Sequence, residues 1–232
     1  MANCYVCGRT TIGCDNQLFV GCVIGLAPQH LHFKPESKCG VIVGDFNILR
    51  EYVTIHQASI DGTDTTVGSH NFLMANCHVA HDSVVGSHTI MANGTLLAGH
   101  TAVEDRAVLS GLVAVHQHAR IGRLAMIGGL SKIVKDVPPY VMADGRPARL
   151  FGLNKVGLLR NGFDAGARQA IKAFYKSLYH AGLPLREALS ILEARIAEAP
   201  EPALRAILDF ARESHRGLTP WPKKAREVDS PD

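Results

Sequence analysis

The sequence lacks most of the features that would place it quickly. Only 19% of its 232 residues are charged, and the formal net charge is +3, too small an excess to argue for nucleic acid as a partner. No apolar run approaches the ~18 residues that a membrane-spanning helix needs, so no transmembrane segment is expected. The opening "MANCYVCGRTTIG" lacks the basic-then-apolar order of a secretory signal. A soluble, cytoplasmic protein is therefore expected. The 47% of hydrophobic residues supplies a sizeable core and argues against disorder except at the ends.

A second C-x-x-C is also missing. Cys4 and Cys7 form one such pair, with Cys14 and Cys22 following, but a structural zinc site needs a matching pair. No metal is expected there. The cysteines fit better into a repeat.

That repeat has a period of six. Stepping from Val67, the residues are Val67, Leu73, Val79, Val85, Met91, Leu97, Val103, Leu109, Val115, Ile121, Ile127 and Ile133, all aliphatic or methionine. Four positions after each, from Leu73 onward, stand Cys77, Ser83, Thr89, Thr95, Thr101, Ala107, Val113, Ala119, Ala125, Ser131 and Val137, all small or β-branched. The same register runs through Val6, Ile12, Leu18 and Ile24, and again through Val43, Leu49 and Ile55. Two stretches break the phase, Leu26 to Gly40 and Gln57 to Thr66.

This pattern predicts a mainly-β protein, a parallel β-helix of hexapeptide repeats. Each hexad is one short strand and a turn, and three hexads make a triangular coil of eighteen residues. Aliphatics point inward and stack on their equivalents one coil away, roughly 4.8 Å distant. Small residues fill the tighter inward slots, which makes Cys4, Cys22 and Cys77 buried thiols. Glycines such as Gly68, Gly86, Gly122 and Gly128 are expected where the backbone turns with unusual dihedrals. The β-helix is placed at 1–150, with ejected loops near 26–40 and 57–66. The hexad repeat stops near Pro138–Pro139.

Helical spacing follows. Ala167, Ile171, Phe174 and Leu178 form one apolar face, ended by Gly182. Leu185, Ala188, Leu189, Leu192 and Ile196 form a second, and Leu204, Ile207, Leu208 and Phe210 a third. A helical region is placed at 151–218, and 219–232 is expected to be a frayed tail.

Coil arithmetic brings the histidines together. Residue 81 stacks under 99 and 117, so His81 and Asp82, Gly99 and His100, and His116 and Gln117 gather on one edge of the prism. Neutral imidazole is a natural base near pH 7, an adjacent carboxylate would orient it, and a glycine N–H is open to approach by an oxyanion. His78 falls half a hexad earlier and is expected to face a different cleft. His70, His88 and His118 read as exposed coil positions.

The segments "NCHVAHD", "LLAGHTAVED", "VAVHQHARIG", "KDVPPYVMADGRPARLFGLN" and "GLLRNGF" resemble the UDP-N-acetylglucosamine 3-O-acyltransferases of lipid A biosynthesis over nearly the whole chain. The resemblance implies a left-handed parallel β-helix followed by a C-terminal α-helical region, assembled as a homotrimer with active sites between subunits. It implies transfer of an (R)-3-hydroxyacyl chain from acyl carrier protein to the 3-hydroxyl of UDP-N-acetylglucosamine, the first step of lipid A biosynthesis, with no cofactor. His81 matches the general base, Asp82 its supporting carboxylate, and the Gly99 N–H the oxyanion donor. His78, His100, His116 and Gln117 match groups lining the substrate cleft, and Asn154 and Arg160 match positions near the uridine and phosphates. Gly129 matches the residue that gates acyl length, where glycine leaves room for a long chain. Lys132, Lys135, Arg146, Arg149 and Arg160 are cations suited to the acidic carrier and the diphosphate.

The chain departs from the family in places. Gln29 fits the family's substrate loop, but His30 and His32 stand where the family usually has an acidic residue and a lysine. Lys34 is a candidate substitute for that lysine, and Asn161 replaces a second arginine. Against the family's usual N-terminus the chain starts roughly two coils late, either a shortened domain or a misassigned start. The altered loop keeps a second acceptor open, another nucleotide sugar such as a 3-amino sugar. A zinc enzyme of the γ-carbonic anhydrase type, using His81, His100 and His116, and a scaffold with a lapsed site are further alternatives.

Overall fold

The computed structural model describes residues 3–198 and 201–222. Each hexad makes a strand of about two residues, one pointing out and one in, and each strand pairs in parallel with its equivalent one coil on. Val79 pairs with Leu97, Leu97 with Val115, and Val115 with Ile133 on the first face. Val67, Val85, Val103 and Ile121 align on the second, and Leu73, Met91, Leu109 and Ile127 on the third. The result is a left-handed parallel β-helix whose three sheets hold seven, six and eight strands among the described residues.

All of these inward aliphatics are buried, Val115 least at 3% exposed, and so are all eleven small residues from Cys77 to Val137. A fully buried aliphatic contributes about 1.5–3 kcal/mol. Cys4, Cys22 and Cys77 stand in line, each with its sulfur against the carbonyls of the next coil. Cys22 and Cys77 are buried as expected, but Cys4 is only half-buried, beside a first strand that is itself exposed. Burial pushes the Cys77 thiol up to about 11. It is a packing group, not a ligand.

Both interruptions are ejected loops that leave the ladder in register. Across the first, Ile12 pairs with Val43, 31 residues on instead of 18. Across the second, Ile55 pairs with Val79, 24 residues on. The second loop ends at Thr63, sooner than its broken phase suggested, because Asp64–Val67 is already a strand of the second face.

The glycines do a different job from the one expected of them. Gly68, Gly86, Gly122 and Gly128 do not have positive φ. The left-handed turn residue lies two positions on, at His70, His88, Leu124 and Leu130, with φ of 55–62°. What excludes a side chain at the glycines is the neighbouring coil: a Cβ on Gly68 would lie 2.7 Å from the Gly86 oxygen.

Beyond Pro139 a hairpin, Val141–Gly145 and Ala148–Leu153, extends the third face. Met142 pairs with Met126 and Ala143 with Ile127, so the sheet continues past the end of the hexad pattern and across position 150. Helix α1 (Lys155–Arg160) follows, too short to show a period. Helices α2 (Ala165–His180), α3 (Leu185–Glu198) and α4 (Pro202–Arg212) come next. Asp164 caps α2 by accepting the Ala167 N–H at 2.7 Å, and Ile171, Phe174 and Leu178 are buried as their spacing requires.

The start of the presumed tail is not frayed. Thr219 is buried and donates its N–H to the Asp136 carbonyl at 2.8 Å, and Trp221 packs on Tyr175 and Tyr179. The Tyr175 hydroxyl donates to the Pro139 carbonyl at 2.6 Å. Aromatic burial therefore ties the chain back onto the last coil; residues 223–232 lie outside the described residues.

Replacing Gly68 with alanine should lower stability by about 1–3 kcal/mol, the usual cost of overpacking, although its φ suits alanine. Thermal unfolding at fixed protein concentration measures this; an unchanged midpoint would show that the coils can separate at no cost.

Candidate active site

The edge that follows the first face carries residues 81–82, 99–100 and 117–118 on successive coils. The His100 N–H donates to the His81 carbonyl at 3.0 Å and the His118 N–H to the Gly99 carbonyl at 3.2 Å, which fixes the column. Asp82, His100 and His118 take the left-handed turn conformation, φ 57–62°, and this swings their side chains outward over the edge.

His81 and Asp82 form a pair. The Nδ1 of His81 lies 2.7 Å from Oδ2 of Asp82. With the proton on Nδ1, as the ionised carboxylate demands, Nε2 carries a free lone pair. Burial acts to raise the Asp82 carboxyl, but hydrogen bonds from Ser59 and His81 and the nearby His100 outweigh it and hold the group below its ordinary value. Asp82 is thus an anion that can support a positive imidazolium.

Gly99 lies directly against that imidazole. A Cβ there would come within 2.4 Å of Cε1 and 2.6 Å of Nε2 of His81, so any side chain at 99 would displace the imidazole. Among the described residues its N–H meets no hydrogen-bond acceptor. The Nε2 of His81 and the backbone of Gly99 therefore lie side by side.

More imidazoles surround this centre. The His100 ring meets His81 edge-on at 5.2 Å, and His118 stacks on His100 at 4.6 Å. The first loop brings His30 to 5.2 Å from His81, with His32 6.0 Å beyond it, and leaves Gln29 exposed beside them. His78 does not face a separate cleft. It points from the first face into the same group, with Nδ1 2.6 Å from the Thr54 hydroxyl and its ring 4.8 Å from buried His56. Burial, with His56 and His81 nearby, pushes His78 down to about 4. Burial likewise lowers His56 and His100.

His116 and Gln117 lie on the same edge but are exposed, and the His116 Nδ1 faces the Gln117 carbonyl at 3.1 Å. Within one chain the donor atoms of His81, His100 and His116 do not converge. Within the described residues the donor atoms that could hold a metal are those of His81, Asp82 and His100, and such an ion would engage the same Asp82 oxygen that bonds His81.

Other candidates lie elsewhere on the chain. Gly129 belongs to the edge after the third face, where the Leu130 N–H bonds the Gly111 carbonyl. A Cβ on Gly129 would meet the Gly111 oxygen only at 3.4 Å, so the surface there is open. Asn154 is buried as the cap of α1, accepting from the Gly157 N–H and donating to the Leu124 carbonyl, both at 2.9 Å. Arg160 is exposed in the last turn of α1. Sequence reading missed Ser59, His56, Thr54 and the contact of His118. The first three precede His81 and Asp82 by irregular distances, so eighteen-residue stepping could not find them. His118, one step from His100 on that same count, is exposed as expected, and being exposed does not stop it stacking on His100.

Between pH 6.5 and about 4 the unfolded chain takes up a proton at His78 that the folded chain refuses. Its contribution to stability is complete above pH 6.5 and falls as pH drops through that window. The unfolding midpoint of the wild type should decline more steeply there than that of His78→Gln; equal slopes would contradict the burial argument.

Known proteins resemble the chain in sequence and in fold. A family profile described as UDP N-acetylglucosamine O-acyltransferase, domain 2, matches residues 136–219, and bacterial transferase hexapeptide repeats match 64–99. An acyl-[acyl-carrier-protein]–UDP-N-acetylglucosamine O-acyltransferase of Halorhodospira halophila is 41% identical over 212 residues, 91% of this chain and 81% of that one. The enzyme of that name from Synechocystis sp. is 44% identical over 185 residues, 80% and 67% of the two chains. A crystal structure of a UDP-N-acetylglucosamine acyltransferase from Bacteroides fragilis superposes with a TM-score of 0.88 at 40% identity, covering 94% of this chain and 84% of that one. One from Arabidopsis gives 0.87 at 34% identity, covering 94% and 86%. The chain belongs to the acyl-[acyl-carrier-protein]–UDP-N-acetylglucosamine O-acyltransferase family.

Proposed function

We propose that this acyltransferase moves an (R)-3-hydroxyacyl chain from acyl carrier protein to the 3-hydroxyl of UDP-N-acetylglucosamine, the first step of lipid A biosynthesis, in the cytoplasm. One observation carries the reading: His81 is bonded to Asp82 through Nδ1 while Nε2 lies against Gly99. The Nε2 lone pair takes the proton of the sugar hydroxyl as its oxygen bonds to the thioester carbonyl carbon. The Gly99 N–H then receives the negative carbonyl oxygen. Collapse restores the carbonyl and breaks the carbon–sulfur bond, and the carrier thiolate takes up the proton from the His81 imidazolium. No cofactor is required.

The remaining roles follow from position. Gln29, His30, His32, His78, His100, His116 and Gln117 border the column and would contact substrate. Gly129, Asn154 and Arg160 lie on other edges or in the hairpin–helix region, so within one chain they cannot line the same cleft as His81. A second copy would bring them there, which favours a homotrimer with shared sites. Exposed apolar residues on the outer faces and the third edge, such as Leu96, Leu112 and Leu130, offer the surface for it. The open surface at Gly129 would admit a long acyl chain. Exposed Lys132, Lys135, Arg146, Arg149 and Arg160 suit an acidic carrier and a diphosphate.

The contact of His30 with His81 favours one second reading, a 3-amino sugar as acceptor, because an imidazole stands where the family usually has an acid. Mass spectrometry of products from both sugars separates the two; product from the amino sugar alone would overturn the first. His81→Ala should lower kcat by roughly 10²–10⁴-fold, the range for a general base, with the assembly's sedimentation unchanged. Undiminished turnover would remove His81 from the mechanism.

A further inference from the structure

The ejected loop after the first face, 57–63, has a single focus at the site: the carboxylate of Asp82. Ser59 donates its hydroxyl to Oδ2 at 2.6 Å and its N–H to Oδ1 at 3.0 Å and Oδ2 at 3.2 Å. The Ile60 N–H and Thr63 hydroxyl add longer contacts to Oδ1, both at 3.4 Å. The carboxylate needs this grip because two imidazoles compete for it. Oδ2 lies 2.7 Å from Nδ1 of His81 and 3.6 Å from Nε2 of His100. Only the former is at hydrogen-bond distance, and the same oxygen faces both rings.

The backbone of Asp82 is already fixed. Its N–H donates to the Thr65 hydroxyl at 2.9 Å and its φ of 57° is set by the turn. The freedom left is that of the side chain, and among the loop's contacts the Ser59 hydroxyl makes the shortest. A hydrogen bond to an ionised oxygen is roughly twice as strong as a neutral one. We propose that Ser59 is a positioning residue for the transfer reaction: its hydroxyl holds Asp82 on His81 and away from His100. His81 then keeps its proton on Nδ1 and its lone pair aimed over Gly99. The hydrogen bonds from Ser59 also help to keep the buried carboxylate ionised. This role rests on reading His81 as the base. It assigns a function to an insertion that the hexad pattern marks only as an interruption.

The test compares Ser59→Ala with Ser59→Thr, each alone and in an Asp82→Asn background. Ser59→Ala should lower kcat roughly tenfold, the scale of a misplaced catalytic group, with KM within about twofold. Ser59→Thr should retain most of the activity. In the Asp82→Asn background Ser59→Ala should cost nothing more, because the group it positions is gone. A readout independent of turnover is the imidazole ¹⁵N–¹H spectrum of the whole protein, with the His81 Nδ1–H signal assigned by its loss in His81→Gln. That signal should move in Ser59→Ala and stay in Ser59→Thr. Unchanged kcat in Ser59→Ala, an additive loss in the Asp82→Asn background, or an unmoved His81 signal would each overturn the role. If Ser59→Ala does not fold, Ser59→Cys replaces it, and equal activity of the Cys and Thr variants would overturn the proposal. If the wild type fails to turn over the proposed substrates, the functional reading falls, and the His81 spectrum still decides what Ser59 does.

Discussion

Vertical stacking of inward aliphatics is the constraint on which the rest of the molecule depends. Strands of two residues carry almost no register information in their hydrogen bonds. The side chains supply it, because a slip by one residue would put His78, Leu96 and Ala114 inside and Val79, Leu97 and Val115 in water. The buried columns make that slip prohibitively costly. They also place the chemistry, since residues two positions after each buried aliphatic arrive on one edge. His81, Gly99 and Gln117 meet for this reason and for no local one.

The edge then acquires function from what is laid over it. Turn residues in the left-handed conformation send Asp82, His100 and His118 outward. Both ejected loops return to this edge, the first with His30 against His81 and the second with Ser59 against Asp82. One carboxylate sits among several imidazoles. Burial keeps His78 neutral well below pH 6.5, while hydrogen bonds keep Asp82 ionised despite its burial. The two shifts push in the directions that leave a single anion among neutral imidazoles, as the proposed base role of His81 needs.

Much of this could be read from the residues, and the misses have physical causes. The period of six identified the faces, two of the three expected buried thiols (Cys22 and Cys77) and the column through 81, 99 and 117, because packing in a solenoid is a strict function of spacing. The same period misled on glycine. It showed where glycines recur but could not show that crowding by the next coil, and not a positive φ, requires them. The hairpin at Val141–Leu153 was hidden because its pairing on the third face continues after the hexads end. Thr219 and Trp221 looked like a tail because their partners, Asp136, Tyr175 and Tyr179, are distant in sequence. Ser59 was invisible for a similar reason: insertions obey no period. Gly129 and Arg160 carried their expected roles only through resemblance, and the single chain leaves them apart from His81.

A crystal structure of the protein with UDP-N-acetylglucosamine bound tests the central claim most directly. The account predicts the sugar's 3-hydroxyl within hydrogen-bond distance of the His81 Nε2, beside the Gly99 N–H, with a second copy closing the cleft. A sugar seated away from that column, or a site complete within one chain, would contradict it.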